Sequence, residues 1–352
     1  MTKLTASVIG CGMGGGFSLD ALAASDRFEI VAACDMRPEV CAEMARRHPG
    51  IRTFSNHQAC LRDCPADVVC VSTFATTHGD ITEAALQVPL KGILVEKPLA
   101  HTVNAAETLL AAIREKQIPV CVPHGLLVLP HTVEILRRVQ DGEIGELKLV
   151  EIQCNQWDIM NAGIHWLNFF VALTGDEPMR SVMAQCDTGT RTYRDGMQVE
   201  TEGITYVESK SGIRCVMQTG DEIQVNREGK FVLFRLVGTR GLIEFWAWES
   251  EYILCNKKHP GGERIEVPAS NRSIHQIYLE ALADQIEERR PEYAAAERSL
   301  AALELVEAAY LSARHPVKVD LPIMAFSPPE TGHWDPGQPY SGRGGGRDGR
   351  RL

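Results

Sequence analysis

The chain has 352 residues, a length that fits two domains of about 100–200 residues each. Its formal net charge of −10 disfavours a nucleic-acid-binding protein, because such a protein needs a basic surface against the phosphates. No apolar run reaches the roughly 18 residues of a transmembrane helix, and no separate apolar segment opens the chain. We therefore expect a soluble, cytoplasmic protein with no membrane partner and no signal peptide.

The number and setting of the cysteines are consistent with a cytoplasmic location. There are 11 of them, and several lie inside apolar runs, such as Cys34, Cys70 and Cys121. No CxxC pair occurs, and a zinc site usually needs such paired ligands, so we expect no metal site. Buried thiols in a reducing compartment are the expected state.

Residues 1–125 alternate between short apolar runs and helix-like stretches. The apolar runs predict strands at Thr5–Ile9, Glu29–Cys34, Val68–Ser72, Gly92–Val95 and Val120–Val122. The stretches between them predict helices at Phe17–Ser25, Pro38–His48, Gly79–Leu86 and Thr102–Lys116. Strands that are apolar throughout are typical of a parallel sheet covered on both faces by helices. We therefore predict an N-terminal α/β domain over residues 1–125.

The pattern changes after residue 125. Alternating strands at 147–155 and about 181–256 predict a largely antiparallel sheet, and helices flank it at about 131–140, 161–173, 273–289 and 294–313. We predict a second α/β domain over 126–325 with a large, mostly antiparallel open sheet. The Gly-, Pro- and Arg-rich tail, 326–352, has no periodicity. We expect it to pack on another subunit or a neighbouring surface through Trp334 and Tyr340, and a disordered, solvated tail is the alternative.

A glycine-rich loop follows the first predicted strand. Gly10, Gly12 and Gly15 match the pattern G-x-G-x-x-G between that strand and a helix. The first glycine allows a tight turn, the second lets the backbone approach a pyrophosphate, and the third lets helix and strand pack closely. Free N–H groups and the helix dipole then favour phosphates. The loop predicts a dinucleotide site, although the pattern alone also fits an ordinary glycine turn.

The end of the second predicted strand supports the dinucleotide interpretation. Asp35 lies there, 20 residues after Gly15, where a carboxylate can accept hydrogen bonds from the adenosine ribose. Arg37 suits a 2′-phosphate instead, but Asp35 would repel that phosphate. We therefore expect NAD, with NADP as the less favoured cofactor.

A Glu-Lys-Pro segment ends the apolar run GILV. Glu96, Lys97 and Pro98 then lie at the carboxyl edge of the predicted parallel sheet, where ligands bind in such folds. Pro98 keeps Lys97 out of the helical region. From spacing alone, Lys97 is either a site residue or an edge charge paired with Glu96.

With these motifs, the chain resembles the glucose–fructose oxidoreductase / inositol dehydrogenase / MocA (Gfo/Idh/MocA) family. The supporting stretches are VIGCGMGGG, STFATTH, VEKPLA, DGEIGELKLVE, NAGIHWLNFFVALTG and AALELVEAAYLSARHPVKVDLP, which span residues 1 to about 322. The resemblance implies a Rossmann domain followed by an α/β domain whose open sheet mediates dimers or tetramers. It also implies an oxidoreductase that moves a hydride between NAD(P) and a hydroxyl of a sugar, glycoside or cyclic polyol.

The resemblance also implies roles for individual residues. Lys97 would touch the reacting hydroxyl, His165 would transfer the proton, and His78 would lie near the cofactor. With the glycine loop, it predicts a set of cofactor-binding residues: Gly10, Cys11, Gly12, Met13, Gly14, Gly15, Asp35, Arg37, Ser72, Thr73, His78, Glu96 and Lys97.

The predicted substrate-binding residues are Lys97, His124, Trp157, Asn161, His165 and Trp166. Asn161 and His165 are four residues apart and share one helix face. The family commonly has Asp where this chain has Asn161, and an Arg-containing segment where this chain has His124 as its polar side chain. His124 either lines the pocket or caps a strand, and the two tryptophans either face a sugar ring or pack in the core.

Two other functional classes remain open at this point. One is a glycoside hydrolase or lyase that oxidises a sugar hydroxyl transiently with bound NAD and shows no net redox change. The other is a non-catalytic sensor that binds a dinucleotide and a sugar. Fold alone does not choose among them.

Overall fold

The computed structural model describes residues 2–187, 192–225, 229–326, 337 and 350–351. It contains two compact units. The first comprises Met1–Pro123 and Asn271–Leu300, and the second comprises His124–Ser270 and Ala301–Leu352.

Among its described residues, the first unit has a six-stranded parallel sheet. Its strands are β1 (Leu4–Ile9), β2 (Phe28–Cys34), β3 (Arg52–Phe54), β4 (Val68–Val71), β5 (Gly92–Val95) and β6 (Val120–Cys121). Their order is β3-β2-β1-β4-β5-β6. Every residue of β4 and β5 is buried, as expected for apolar strands in a sheet covered on both faces. The strand order reverses between β1 and β4, and ligands bind at the carboxyl edge of such a point.

Five helices precede or follow these strands in the described N-terminal segment. They are α1 (Met13–Ala24), α2 (Pro38–Arg47), α3 (His57–Asp63), α4 (Ala75–Ala85) and α5 (Val103–Glu115). The predicted α/β alternation is confirmed, but β3 and α3 are additions to it. The sequence RTF is too short to show a period, and HQACLRD has only two buried residues, so neither segment gives a clear apolar signal.

In the described part of the chain, the second unit has a nine-stranded sheet. Its strands are β7 (Leu147–Asn155), β8 (Met179–Cys186), β11 (Glu202–Ser209), β12 (Arg214–Gly220), β13 (Val232–Gly238), β14 (Gly241–Trp246), β15 (Glu251–Asn256), β16 (Glu263–Glu266) and β17 (Val319–Asp320). Their order is β16-β15-β14-β13-β7-β12-β11-β8-β17. The pair β7–β12 is parallel and the other pairs are antiparallel, which confirms the predicted mostly antiparallel sheet.

Helices cover the buried face of this sheet. α6 (Pro130–Gln140) precedes β7, and a π-helical turn at Ile159–Gly163 leads into α7 (Ile164–Leu173). Nine of the ten α7 residues are buried, and Phe169 packs against Phe234 and Phe245 of the sheet with ring centroids 5.7 and 5.9 Å apart. The apolar residues of α7 therefore anchor the helix on the sheet. The half-buried His165 lies in its first turn.

A small antiparallel sheet lies in the same unit. It contains β9 (Thr192–Arg194), β10 (Met197–Val199) and β18 (Arg350–Arg351). Asp195 and Gly196 join β9 to β10, and both have positive φ angles, as a tight hairpin turn requires.

The tail returns to this hairpin. The backbone of Arg350–Arg351 pairs with β9, and the N–H of Gly337 donates to the carbonyl of Gln198 at 2.8 Å. The predicted anchors Trp334 and Tyr340 lie outside the described residues, so a contact of the tail with another subunit stays a prediction.

A C-terminal segment belongs to the first unit. α8 (Ile274–Glu288) packs on β5, where a Cβ added to Gly92 would lie 2.7 Å from the side chain of Ile286. α9 (Ala294–Arg314) crosses the boundary between the units at Leu300. The boundary predicted at residue 125 placed all of 271–300 in the second domain. In the structure the side chains of α8 pack on β5 of the first sheet, and a sequence pattern alone does not show which sheet a helix covers.

Candidate active-site residues

The glycine loop has the geometry that a dinucleotide site needs. Gly10 has φ +86°, and a Cβ there would lie 2.5 Å from the carbonyl oxygen of Ser72. A Cβ on Gly15 would lie 1.8 Å from the carbonyl oxygen of Gly10. By contrast, the nearest atom to a Cβ on Gly12 is a terminal nitrogen of Arg37, 4.0 Å away. Gly10 and Gly15 therefore pack tightly against backbone atoms, whereas the space beside Gly12 is open and can accept a ligand.

The start of α1 suits phosphate oxygens. Its N-cap is Gly12, no side chain caps the helix, and its first turn has no acidic residue. Met13, the first helical residue, is 71% exposed. Cys11 is buried beside this turn, and burial together with the Asp35 charge raises the pKa of its thiol to about 12. The N–H groups of the first turn therefore offer the positive end of the helix dipole to an anion.

Asp35 is held firmly at the end of β2. Its carboxylate accepts from the N–H of Cys11 at 2.9 Å, and Arg37 donates to it through Nε and Nη2, each at 2.9 Å. Burial alone would raise the pKa of Asp35, but the hydrogen bonds from Arg37 and Cys11 outweigh it and lower the pKa. Asp35 is thus an ionised, oriented hydrogen-bond acceptor. The guanidinium of Arg37 is bound directly to its carboxylate.

The loop after β4 is tied to the Glu-Lys-Pro segment by His78. Its ring is fully buried, with Nδ1 2.7 Å from the carbonyl oxygen of Pro98 and Nε2 3.0 Å from that of Thr73. Burial lowers the pKa of His78. Ser72 lies at the same edge, and its N–H is bound to the carbonyl of Ile9, which joins the loop to β1 at 2.8 Å. Each ring nitrogen of His78 thus lies within hydrogen-bond distance of a backbone oxygen, and the neutral imidazole donates to one of the two.

Glu96 has a partner that sequence reasoning missed. Its Oε1 lies 2.6 Å from Nε2 of His275, near the start of α8, and both side chains are only 12% exposed. A Cβ on Gly14 would lie 3.2 Å from the same carboxyl group, which explains why that helical position is a glycine. Burial alone would raise the pKa of Glu96, but the hydrogen bond and charge of His275 outweigh it and lower the pKa. Lys97, half-buried, therefore follows an ionised, anchored residue.

In the second unit, the π-helical turn and the first turn of α7 carry the polar candidates. Asn161 is buried in the π-helical turn, and the half-buried His165 follows one turn later. The ring of His165 meets that of His124 edge-on, with centroids 5.0 Å apart. The structure thus brings together two predicted substrate residues, His124 and His165, while Asn161 lies in the turn that precedes His165.

The two tryptophans differ in their surroundings. Trp166 is 2% exposed and its ring packs edge-on against Phe234 and Trp248. The structure therefore favours the core-packing interpretation of Trp166 over the sugar-facing one. Trp157 is half-buried in the loop after β7.

A buried charged cluster beneath the π-helical turn was also missed. Asp158, fully buried, caps the turn, and Arg194 of β9 donates to it at 3.1 Å and to Asp221 at 2.6 Å. Glu200, also fully buried, accepts from the hydroxyl of Tyr310 at 2.8 Å. Burial and the neighbouring Asp158 raise the pKa of Glu200 to about 7.

Two absences apply to the described ranges. They contain no cluster of three or more His, Cys, Asp or Glu residues suited to hold a metal ion. None of their helices has both the length and the apolar character needed to cross a membrane.

Family models match most of the chain. The model described as "Oxidoreductase family, NAD-binding Rossmann fold" matches residues 4–124, and that described as "Oxidoreductase family, C-terminal alpha/beta domain" matches 137–321. The chain belongs to the Gfo/Idh/MocA family of oxidoreductases. It is therefore an NAD(P)-dependent enzyme, and the uncapped α1, the open side of Gly12 and the oriented Asp35 all fit that cofactor.

Curated Gfo/Idh/MocA relatives are distant. The rhizopine catabolism protein MocA of Rhizobium meliloti is 23% identical over 279 residues, which cover 73% of this chain and 83% of that protein. D-apiose dehydrogenase of Paraburkholderia graminis is 29% identical over 143 residues, 41% of this chain and 38% of that protein. Among solved structures, a levoglucosan dehydrogenase in complex with NADH has a TM-score of 0.78 at 18% identity, covering 91% of this chain and all of that one. At such identity, the structural likeness shows the fold alone.

Proposed function

We propose that the protein transfers a hydride between NAD and a secondary hydroxyl or ketone of a sugar, glycoside or cyclic polyol. The observation that carries this proposal is the anchoring of Lys97. On one side of it, Glu96 is paired with His275, and on the other, the carbonyl of Pro98 is bound by His78. A lysine held between two buried contacts at the carboxyl edge of the sheet is preorganised for a ligand.

Oxidation of a secondary alcohol removes a hydride and a proton, and NAD, when bound, accepts the hydride. Lys97 donates a hydrogen bond to the reacting oxygen and stabilises the negative charge that develops there. His165 accepts the proton through a ring nitrogen. His124, whose ring meets that of His165, restricts the orientation of the imidazole.

For the cofactor, Gly10–Gly15 would hold the pyrophosphate and Asp35 the adenosine ribose, with NAD preferred over NADP. Asp35 supports this preference because its ionised carboxylate would repel a 2′-phosphate. The ion pair with Arg37 neutralises part of the charge of Asp35. The preference for NAD over NADP therefore requires that the carboxylate of Asp35, and not the guanidinium of Arg37, faces the ribose. His78 has both ring nitrogens on backbone oxygens, and we assign it to supporting this edge of the sheet.

The curated relatives support the substrate class. One is a D-apiose dehydrogenase and another a levoglucosan dehydrogenase, so their names refer to a sugar and an anhydrosugar. The sequence departs from the family pattern at Asn161 and near His124, and we assign both departures to the substrate side of the site.

A substrate screen tests the function. The protein is incubated with sugars, glycosides and cyclic polyols, each with NAD and with NADP, and reduced nicotinamide is followed by absorbance while mass spectrometry identifies products. We expect one class of cyclic alcohol to give a ketone and reduced nicotinamide in equal amounts. Product formed without reduced nicotinamide would instead indicate transient oxidation, and would refute a net dehydrogenase.

We also propose that the protein forms a homo-oligomer, a dimer or a tetramer, through the outer face of the large sheet. Met183 and Val216 both pair with Tyr206, so they lie in one row on one face, and both are more than one-third exposed. Ile204, on the same face, is 52% exposed. Apolar side chains grouped on an open sheet are typical of a surface that another chain covers. A monomeric mass in solution would refute this proposal.

A reducing, cytoplasmic compartment is proposed on the state of the cysteines. All 11 cysteines lie in the described ranges, none of them forms a disulfide there, and eight are buried. Such thiols persist where the surroundings keep them reduced.

A further inference from the structure

Arg194 lies in an environment where an arginine is costly. Its side chain is 5% exposed, and it is bound to a fully buried carboxylate, Asp158, and to Asp221, which is 18% exposed. Removing such charges from water costs several kcal/mol per ion, and replacement by apolar residues is often neutral or stabilising. A buried charged group of this kind therefore calls for a role other than stability.

Asp158 connects Arg194 to the predicted site. Its Oδ1 accepts from the backbone N–H of Asn161 at 2.7 Å, and both of its carboxylate oxygens lie 3.1 Å from Asn161 Nδ2. An ionised carboxylate only accepts hydrogen bonds, so the amide of Asn161 must turn its NH₂ group toward Asp158. The carbonyl oxygen Oδ1 of Asn161 is consequently directed away from Asp158.

The π-helical turn is also held from a second side. Its first N–H, that of Ile159, donates to Oε1 of Glu200 at 2.6 Å, and Tyr310 donates to the other oxygen of Glu200. The carbonyl of Asp158 accepts from the N–H groups of Ala162 and Gly163 at 3.2 and 3.0 Å. π-helical turns are rare and often lie at functional sites, and this one leads directly to His165.

We propose that Arg194 is a positioning residue of the active site. It holds Asp158 in place, and Asp158 fixes both the π-helical turn and the amide of Asn161, so that Asn161 keeps one amide orientation and His165 enters α7 at a fixed angle. The assignment of Asn161 to substrate binding rests on the proposed function. The positioning itself does not depend on which reaction is catalysed.

Three variants test the positioning. Arg194→Met combined with Asp158→Asn removes one charge of each sign, so neither of the two is left as an unpaired charge, while Asp221, which is 18% exposed, loses its contact with Arg194. Arg194→Lys keeps the charge but loses the two-pronged geometry of the guanidinium. Arg235→Met is the matched control, because Arg235 forms an ion pair with Glu244 on the same large sheet but is 49% exposed. Exposed ion pairs of that kind contribute little to the free energy of unfolding.

Hydrogen exchange of the backbone amides 159–165 is the first readout, and it needs neither substrate nor cofactor. We expect exchange in this segment to rise by about tenfold or more in the double variant and by less in Arg194→Lys, with the strands of the large sheet unchanged. Arg235→Met should match the wild type. Unchanged exchange at 159–165 in both Arg194 variants would overturn the proposal; if the double variant does not fold, Arg194→Lys alone decides.

Kinetics with the substrate found in the screen are the second readout. We expect kcat to fall by about 10²-fold in the double variant, because a misplaced catalytic group loses rate on that scale, while the dissociation constant of NAD stays within a factor of about two. A uniform loss of NAD binding would indicate a general structural defect and refute positioning. If the wild type oxidises no alcohol, the proposed function fails, while the exchange data still decide the role of Arg194.

Discussion

Replacement of Asn161 by aspartate would introduce the residue that the family commonly has at this position, yet the structure indicates that it will not be tolerated here. Asn161 Nδ2 lies 3.1 Å from both oxygens of Asp158, and both side chains are buried. The substitution places a second acceptor where the carboxylate now receives a donor. We therefore expect Asn161→Asp to destabilise the fold near neutral pH.

The size of the effect is limited by proton uptake. Two unit charges 3.1 Å apart repel by about 5 kcal/mol at an effective dielectric constant of about 20. Protonating an aspartate of ordinary pKa, about 3.9, at pH 7 costs about 4 kcal/mol. The smaller cost prevails, so the new carboxyl should bind a proton and donate it to Asp158. The expected loss in the free energy of unfolding is about 3–4 kcal/mol at pH 7.

The same argument sets the pH dependence. The new carboxyl has a pKa in the folded state above its unfolded value, so its proton favours the folded state. The difference between variant and wild type should be small near pH 4, grow as the pH rises, and be largest at pH 7–8. Urea unfolding of both proteins at several pH values measures this difference. A variant as stable as the wild type at pH 7, or a loss that does not vary with pH, would refute the reasoning.

Four other changes test the remaining assignments. Gly12→Val should abolish NAD binding measured by calorimetry without unfolding the protein, because its side chain would fill the open side of the loop. Asp35→Ser should weaken NAD and relatively favour NADP; an unchanged ratio of the two dissociation constants would contradict the ribose assignment. Lys97→Ala should lower kcat by about 10²–10⁴-fold, whereas Lys91→Ala, at the exposed opposite end of the same strand, should not. His275→Leu leaves a buried carboxylate without its partner and should lower the free energy of unfolding by about 3 kcal/mol, read by thermal or urea unfolding.

The first unit could be predicted well from the sequence because its signals are local. The apolar runs that become β4 and β5 are buried on every residue, and the glycine loop between β1 and α1 combines a turn, a close approach and a helix start within six positions. Asp35 and Lys97 could be located because each follows a strand, and the ends of parallel strands meet at one edge of the sheet.

The partners of these residues could not be predicted. His275 is 179 positions from Glu96, and nothing in the local sequence of α8 indicates which carboxylate it will meet. Arg194 lies in a three-residue strand, and the sequence alone predicts an exposed position for an arginine in such a short strand. Its burial is seen only in the folded structure. Long-range pairs of this kind leave no periodicity in the sequence, so only the folded structure reveals them.

The cluster around Asn161 shows where this chain differs from the family pattern. Position 161 itself has no carboxylate, but one lies three residues earlier, as Asp158, fully buried and paired with Arg194. Position 161 then offers a neutral acceptor instead of a charge. Exchanging the two residues, Asp158→Asn with Asn161→Asp, keeps one carboxylate and one amide in contact and avoids the repulsion of the single variant.

This exchanged variant separates stability from substrate recognition. It should recover part of the stability that Asn161→Asp alone loses, because a donor again faces an acceptor; the recovery is partial because Arg194 no longer faces a carboxylate at position 158. It should nevertheless raise KM for the native substrate, since a charge now stands where a neutral oxygen accepted a hydroxyl, and it should leave the pH profile of kcat nearly unchanged. If instead the basic limb of that profile moves to higher pH with KM unaltered, the residue at 161 acts on the basicity of His165, and its assignment to the substrate is wrong.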